Sequence, residues 1–137
     1  MNRIKNNKES QISIKRSKFL GFVFYVDSEN RVANILESLE GKYKGSVHRV
    51  YAYRLLEEGV LREKFDNDKE PVGSAGQPIL YLLKQKAIMN CLIVVVRYFG
   101  GTLLGTGGLV RAYTAAANGT LEENIRVLSE VEICLRK

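Results

Sequence analysis

The chain has 137 residues, of which 45% are hydrophobic and 26% are charged, and its formal net charge is +6. These proportions are typical of one soluble globular domain and exclude a disordered, collagen-like or coiled-coil chain. The longest apolar run is six residues, too short to cross a bilayer, and with two cysteines and no visible secretory signal we expect a cytoplasmic protein without disulfides or membrane partners.

The positive charge is concentrated at the N-terminus, where residues 1–18 carry six Lys or Arg residues against one acid, Glu9. The other residues carry 15 bases and 14 acids, so the body of the chain is nearly neutral. Such a segment suits attraction to phosphate or to an acidic protein, although a solvated chain start has the same composition. We predict a flexible basic arm over residues 1–10 and a single domain over residues 11–137.

Hydrophobic periodicity predicts the elements in chain order. Strands are predicted over residues 11–15, 19–26, 47–56, 60–65, 91–96 and 126–135. The run over residues 91–96 lacks alternation, which is typical of a central strand buried on both faces.

Three helices are predicted from the capping signals and apolar stripes. They run from a cap at Asp27 or Ser28 to a stop at Gly41, over residues 77–87, and from near Leu109 onward. The second helix has two possible starts, with Pro78 at its first position or with Ser74 and Gln77 as a capping box. The order β-β-α-β-β-α-β-α-β predicts an α+β fold, a two-layer sandwich of a mixed sheet with helices on one face.

A glycine-rich segment joins the strand that ends in Arg97-Tyr98-Phe99 to the third helix. Glycines let backbone N–H groups turn toward one point, and a helix N-terminus adds free donors and a positive dipole end. The pattern favours an anion site that uses Arg97, Tyr98, Gly100, Gly101, Gly105, Gly107, Gly108 and Arg111. It matches neither a P-loop nor a dinucleotide motif, and the same glycines also suit tight turns and helix packing.

His48, the one histidine of the chain, shares a face of the third predicted strand with Arg54, so both join the candidate anion or nucleic-acid site. A lone histidine is more often structural than catalytic, and we assign no catalytic residue and no metal ligand. The loop acids Asp66, Asp68 and Glu70 suit solvated turns better than a cation site. Glu70 is alternatively a loop anchor that accepts backbone N–H bonds.

Three long segments carry a specific motif pattern. They are H-R-V-Y-A-Y-R from His48, E-P-V-G-S-A-G-Q-P from Glu70, and V-V-R-Y-F-G-G from Val95 followed by L-G-T-G-G-L-V-R-A-Y from Leu104. This pattern resembles the Impact N-terminal domain family, in its bacterial YigZ-like branch, over nearly the whole chain. The resemblance implies a fold like domain two of ribosomal protein S-five, with no established catalytic residues and no cofactor. Bacterial relatives often carry a second, ferredoxin-like domain, which we expect to be absent here.

The resemblance also implies a role in translation, since eukaryotic relatives act in translational control by competing for a ribosome-associated scaffold that activates a stress kinase. We therefore expect a non-enzymatic protein associated with RNA or the ribosome, whose glycine-rich segment and flanking arginines bind phosphate. Two alternatives stay open. One is an enzyme that binds a phosphate or nucleotide with the same segment, and the other is a pure protein–protein interaction module.

Overall fold

The computed structural model describes residues 1–129, which form seven strands and three helices. The strands are β1 (Asn2–Ile4), β2 (Lys8–Ile14), β3 (Ser17–Tyr25), β4 (His48–Glu57), β5 (Val60–Asp66), β6 (Cys91–Tyr98) and β7 (Ile125–Val127). The helices are α1 (Glu29–Lys42), α2 (Gly76–Gln85) and α3 (Gly105–Leu121). The predicted α+β class is confirmed. Most of the last predicted strand, residues 130–135, lies outside the described residues.

Five strands form the main sheet in the order β2-β3-β6-β4-β5, and every neighbouring pair is antiparallel. The predicted mixed sheet is therefore wrong. The crossover through α1 does make β3 and β4 run in the same direction, but β6 lies between them and is antiparallel to both. The register of β4 and β6 sets His48 directly opposite Arg97 at one end of the sheet.

Helices cover both faces of this sheet, so the predicted arrangement with all helices on one face is also wrong. On one face α2 and α3 pack over a core that includes Phe19, Val23, Val50, Ile93 and Val95. On the other face α1 packs through Val32 and Leu39 over Phe22, Leu55, Leu92, Val94 and Val96. Two cores form because the central strands carry apolar side chains on both sides, as predicted for residues 91–96.

The first ten residues have a defined structure instead of forming the predicted flexible arm. β1 pairs antiparallel with β7, and Ile4 is buried in the core under α2 and α3. The Asn2 N–H donates to the Ala87 carbonyl at 2.8 Å, and the Asn124 side chain accepts the Lys5 N–H at 3.2 Å. These partners are far along the chain, so local composition gives no sign of them.

The capping residues of α1 and α2 decide where these helices begin. Ser28, one of the two predicted N-cap residues, caps α1. Its hydroxyl accepts the Arg31 N–H at 3.1 Å. α2 begins at Gly76 because the Asn67 side chain accepts the Gly76 N–H at 2.6 Å. The Ser74 hydroxyl instead donates to a loop carbonyl, so neither predicted start of α2 is observed.

Candidate anion-binding site

Most of the predicted site residues meet at the end of the sheet where β4 begins and β6 ends. His48 and Arg97 face α2 and α3 there, and the glycine-rich segment leaves β6 immediately afterwards. The loop over residues 67–75, between β5 and α2, brings Glu70 to the same end of the sheet, against Arg97. The site therefore has a buried polar part under this loop and an exposed part at the start of α3.

The buried part is an ion pair between Arg97 and Glu70, whose side chains are 7% and 3% exposed. Arg97 Nη1 donates to both carboxylate oxygens of Glu70, at 3.0 and 2.8 Å, and the Tyr113 hydroxyl donates to Glu70 Oε2. Burial, and then the nearby Glu70 carboxylate, raise the pKa of Tyr113, which keeps its phenol protonated. Arg97 is thus neutralised inside the protein and is not the free cation expected from its place beside the glycines.

His48 fastens the loop over residues 67–75 to the start of β4. Its Nδ1 lies 2.5 Å from the Asp68 carbonyl oxygen, and since a carbonyl only accepts, Nδ1 carries the proton. Its Nε2 lies 3.5 Å from Glu70 Oε1, and the Asp68 carboxylate accepts the Arg49 N–H at 2.7 Å. Glu70 holds the loop through its contacts with the side chains of His48, Arg97 and Tyr113, rather than through the backbone N–H bonds expected of it.

The first glycines of the segment form a tight turn beside the β2–β3 hairpin. The Gly100 N–H donates to the Ser17 hydroxyl at 3.1 Å, and a Cβ on Gly100 would lie 2.2 Å from the Arg16 carbonyl carbon. Gly101 has a φ of +86°, a conformation that favours glycine. These two glycines therefore serve backbone packing and turn geometry.

The later glycines lie in the first turn of α3, which begins at Gly105, four residues before the predicted start at Leu109. Gly105, Thr106 and Gly107 are exposed to solvent. The preceding residue, Leu104, has no hydrogen-bonding side chain, and no side chain within residues 1–129 caps this turn. Within the described residues the first N–H groups of α3 thus lack a side-chain acceptor, which leaves them available to a ligand.

Exposed cations lie next to this turn. Arg111 is exposed, and its guanidinium has no ion-pair partner in the described part of the chain. Its Nη1 lies 3.4 Å from where a Cβ on Gly107 would be, so the side chain folds back over the start of α3. Lys15 and Arg16, also exposed, form the hairpin turn against which Gly100 packs.

Two predicted site residues lie elsewhere. Arg54 is opposite Cys91, six residues along β4 from His48, which is roughly 20 Å in a strand. Its Nε lies 2.6 Å from Glu63 Oε2, so its charge is paired there. Tyr98 is half-buried and packs on the α1 face of the sheet. Neither residue joins the cluster around Arg97.

Glu70 and Tyr113, by contrast, belong to the cluster although sequence reasoning did not include them in the site. Tyr113 lies in the apolar stripe predicted for the third helix, and a buried phenol needs a hydrogen-bond partner. Arg97 ends a strand predicted to be buried on both faces, and a buried guanidinium needs a carboxylate. These two requirements were the signal for an acid in this cluster.

Other chemistry finds little support in the described residues. No group of three His, Cys, Asp or Glu side chains within residues 1–129 is arranged to hold a metal ion. Burial raises the pKa of the Cys91 thiol, which disfavours the reactive thiolate. Over the same residues, no helix is both long and apolar enough to cross a membrane.

Comparison with known proteins gives consistent matches. The family model of the Impact N-terminal domain matches residues 15–121. The IMPACT family member YvyE of Bacillus subtilis is 34% identical over 110 residues, which are 80% of this chain and 50% of that protein. The IMPACT family member YigZ of Escherichia coli is 34% identical over 111 residues, 80% of this chain and 54% of that protein. The chain thus spans about half the length of these relatives.

Two solved structures share the fold. A crystal structure of a hypothetical protein matches with a TM-score of 0.82 and 29% identity, over 92% of this chain and 63% of that one. The two-domain translational regulator Yih1 matches with a TM-score of 0.53 and 21% identity, over 90% of this chain and 47% of that one. The motifs, the fold and the family match agree, and the chain belongs to the Impact N-terminal domain family.

Proposed function

We propose that this chain acts in the regulation of translation, as a non-enzymatic protein that associates with RNA or with the ribosome. Family membership supports the first part, since the family includes the IMPACT proteins and Yih1, which shares the fold, is a translational regulator. The phosphate-binding surface is the exposed first turn of α3, together with Arg111 and the hairpin turn at Lys15 and Arg16. Arg97 is buried and paired with Glu70, so it adds no free charge to this surface.

The observation that carries the proposal is the set of uncapped N–H groups at the start of α3, with the Arg111 guanidinium beside them. Backbone donors and the positive end of the helix dipole favour phosphate, and an exposed arginine adds a full charge. The two chain segments that form this surface, residues 10–26 and 97–121, contain lysine and arginine but no acid. Nothing in those segments therefore repels an incoming phosphate.

The test is binding of labelled single-stranded RNA and of ribosomal particles by fluorescence anisotropy and co-sedimentation, between about 50 and 200 mM salt. Affinity should fall with salt at a log–log slope of roughly −0.7 per neutralised phosphate. Arg111→Ala should weaken binding and make the slope shallower by about one such unit, since one phosphate contact is lost.

The matched control is Arg62→Ala, which removes an exposed arginine from β5, the edge strand at the far side of the sheet. It should leave both affinity and salt slope unchanged. Two results would contradict the proposal: no binding to RNA or ribosomal particles at low salt, or equal losses in the two variants.

A protein–protein module is the second candidate, favoured by exposed apolar side chains in the loops that flank the Arg97–Glu70 pair. Val72 is 89% exposed, Leu103 82% and Phe99 48%. Apolar side chains exposed to this degree in neighbouring loops are typical of contact surfaces. If a complex isolated with the chain survives nuclease treatment and the Leu103→Ser change disrupts it, this candidate replaces RNA binding.

A further inference from the structure

The two faces of the main sheet are covered unequally. α2 and α3 share one face, whereas α1 alone lies on the other. A helix is about 10 Å across and strands are about 4.8 Å apart, so one helix covers roughly two strands of the five. Since α1 packs mainly over the central strands, no helix among residues 1–129 covers the outer part of its face, along β2 and the adjoining side of β3.

A groove with a cavity volume of about 650 Å³ occupies this place, between α1 and the β2–β3 side of the sheet. Its floor is apolar and consists of Phe22, Phe24, Ile35, Leu39 and Tyr43. Phe24, Ile35 and Tyr43 are only half-buried, so the floor keeps apolar surface in contact with water. Covering such a surface is favourable, which makes the groove a contact site rather than a finished part of the core.

The rim of the groove is positively charged. Arg31 and Lys42 of α1 line it, with Glu9 as the one acid among the lining residues, whereas the Lys8 side chain points to the α3 face, where its Nζ donates to the Glu122 carbonyl. In the part of the chain that the structure describes, neither of these two cations has a carboxylate within ion-pair distance. Lys42 Nζ lies 5.6 Å from the Tyr43 ring centroid, a contact that does not cancel its charge.

We propose that this groove binds an acidic amphipathic helix of a partner protein, lying alongside α1 on the exposed side of β3. Arg31 and Lys42 are eleven residues apart on α1, about 16 Å or three helical turns, which suits a helix in a groove. The apolar side of such a helix covers the aromatic floor, and its carboxylates meet the two cations. An RNA backbone has the charge but not the apolar stripe that this floor requires.

The test uses two synthetic labelled helical peptides of about five turns, with leucines at i, i+3, i+4 and i+7 spacing. One carries Glu at the remaining positions and the other carries Lys. The acidic peptide should bind the chain in anisotropy titrations, and its amide shift changes in NMR spectra should fall on α1 and β3. The Lys peptide should bind at least about tenfold more weakly, because its charges repel the rim.

Two variants locate the site. Arg31→Glu with Lys42→Glu should weaken the acidic peptide by roughly tenfold or more, and Ser38→Trp should block the groove without changing its charge. The matched control is Lys64→Glu with Lys84→Glu, the same charge change at β5 and α2, which should have little effect. Circular dichroism checks that each variant is folded.

Each other outcome overturns the proposal. These outcomes are no binding of the acidic peptide at millimolar concentration, equal binding of both peptides, shift changes away from α1 and β3, and binding that neither groove variant weakens. An RNA oligomer that shifts the groove amides while the peptide does not would assign the groove to nucleic acid instead. RNA binding at the start of α3 can be measured independently of the groove, because the groove variants leave Arg111 in place.

Discussion

Arg97 and Glu70 form the polar centre of the molecule at the residue scale. Each would be costly to bury alone, but the two charges neutralise each other, and the Tyr113 hydroxyl adds a third hydrogen bond to the carboxylate. The pair joins the loop over residues 67–75 to β6 and to α3. The main effect of the pair is therefore to hold this loop in place, rather than to present charge to a ligand.

Glu70→Gln should destabilise the fold strongly, because it leaves the Arg97 charge buried without a counter-charge. Breaking a buried ion pair costs about 3–5 kcal/mol, a large part of the total stability of such a domain. Urea unfolding measures the loss. The same change at the exposed Glu37 should stay within about 0.5 kcal/mol, and similar losses at both positions would show that the pair is not structural.

Tyr113 makes the free energy of unfolding depend on pH in the alkaline range. Its pKa is raised in the folded protein, so the folded state holds this proton more tightly than the unfolded chain does. The protonated Tyr113 stabilises the fold fully below the ordinary tyrosine pKa of about 10. This stabilisation is lost as the pH rises beyond that value. The free energy of unfolding should therefore fall above pH 10, and Tyr113→Phe should make that fall shallower. Parallel pH profiles for the two proteins would contradict this.

The glycine-rich segment is the informative feature at the element scale, because its glycines have different duties. Gly100 packs against the hairpin backbone, Gly101 and Gly105 adopt positive φ angles, and Gly107 lies in the first turn of α3 under the end of the Arg111 side chain. The spacing of the glycines predicts a special backbone, but it does not say which of them bend and which are helical.

Gly100→Ala and Gly107→Ala should therefore have opposite effects. A Cβ at Gly100 would overlap the Arg16 backbone at 2.2 Å, so the hairpin turn must move and the protein should lose several degrees in Tm. A Cβ at Gly107 meets only the flexible end of Arg111, and alanine favours the helix by up to about 1 kcal/mol. Thermal unfolding measures both, and equal losses would contradict this division of roles.

Local patterns predict the elements better than their ends. The alternating and apolar runs identify most strands, and the Ser28 cap identifies the start of α1. α2 begins where Asn67, distant in the loop, supplies the cap, and this pairing depends on tertiary contact. β1 is not predicted from the local sequence because its partner β7 lies at the other end of the described chain.

At the scale of the whole molecule, strand order and helix placement are set by contacts between distant residues. β6 enters between β3 and β4, which turns an expected mixed sheet into an antiparallel one. The apolar character of the central strands was predicted, and it requires helices on both faces, although the element order alone favours one. His48 and Arg97, which belong to the predicted site, lie at one end of the sheet, whereas Arg54 shares their face but not their end.

This architecture gives the molecule two separate surfaces. The start of α3 offers backbone donors and Arg111 on one side of the sheet, and the groove beside α1 offers an apolar floor with a basic rim on the other. The two proposed contacts, one with RNA or the ribosome and one with a protein, would therefore not compete for the same surface. Arg111→Ala and the groove variants should act independently, so that their effects on the free energy of binding add.

The most direct measurement is a series of amide NMR spectra recorded at low salt while a short single-stranded RNA is added. The account predicts that the largest shift changes fall on the amides of Gly105, Thr106 and Gly107, with the Arg111 side-chain signal moving at the same RNA concentrations. RNA that binds elsewhere on the chain and leaves these amides unmoved, or RNA that moves no signal at all, would contradict it.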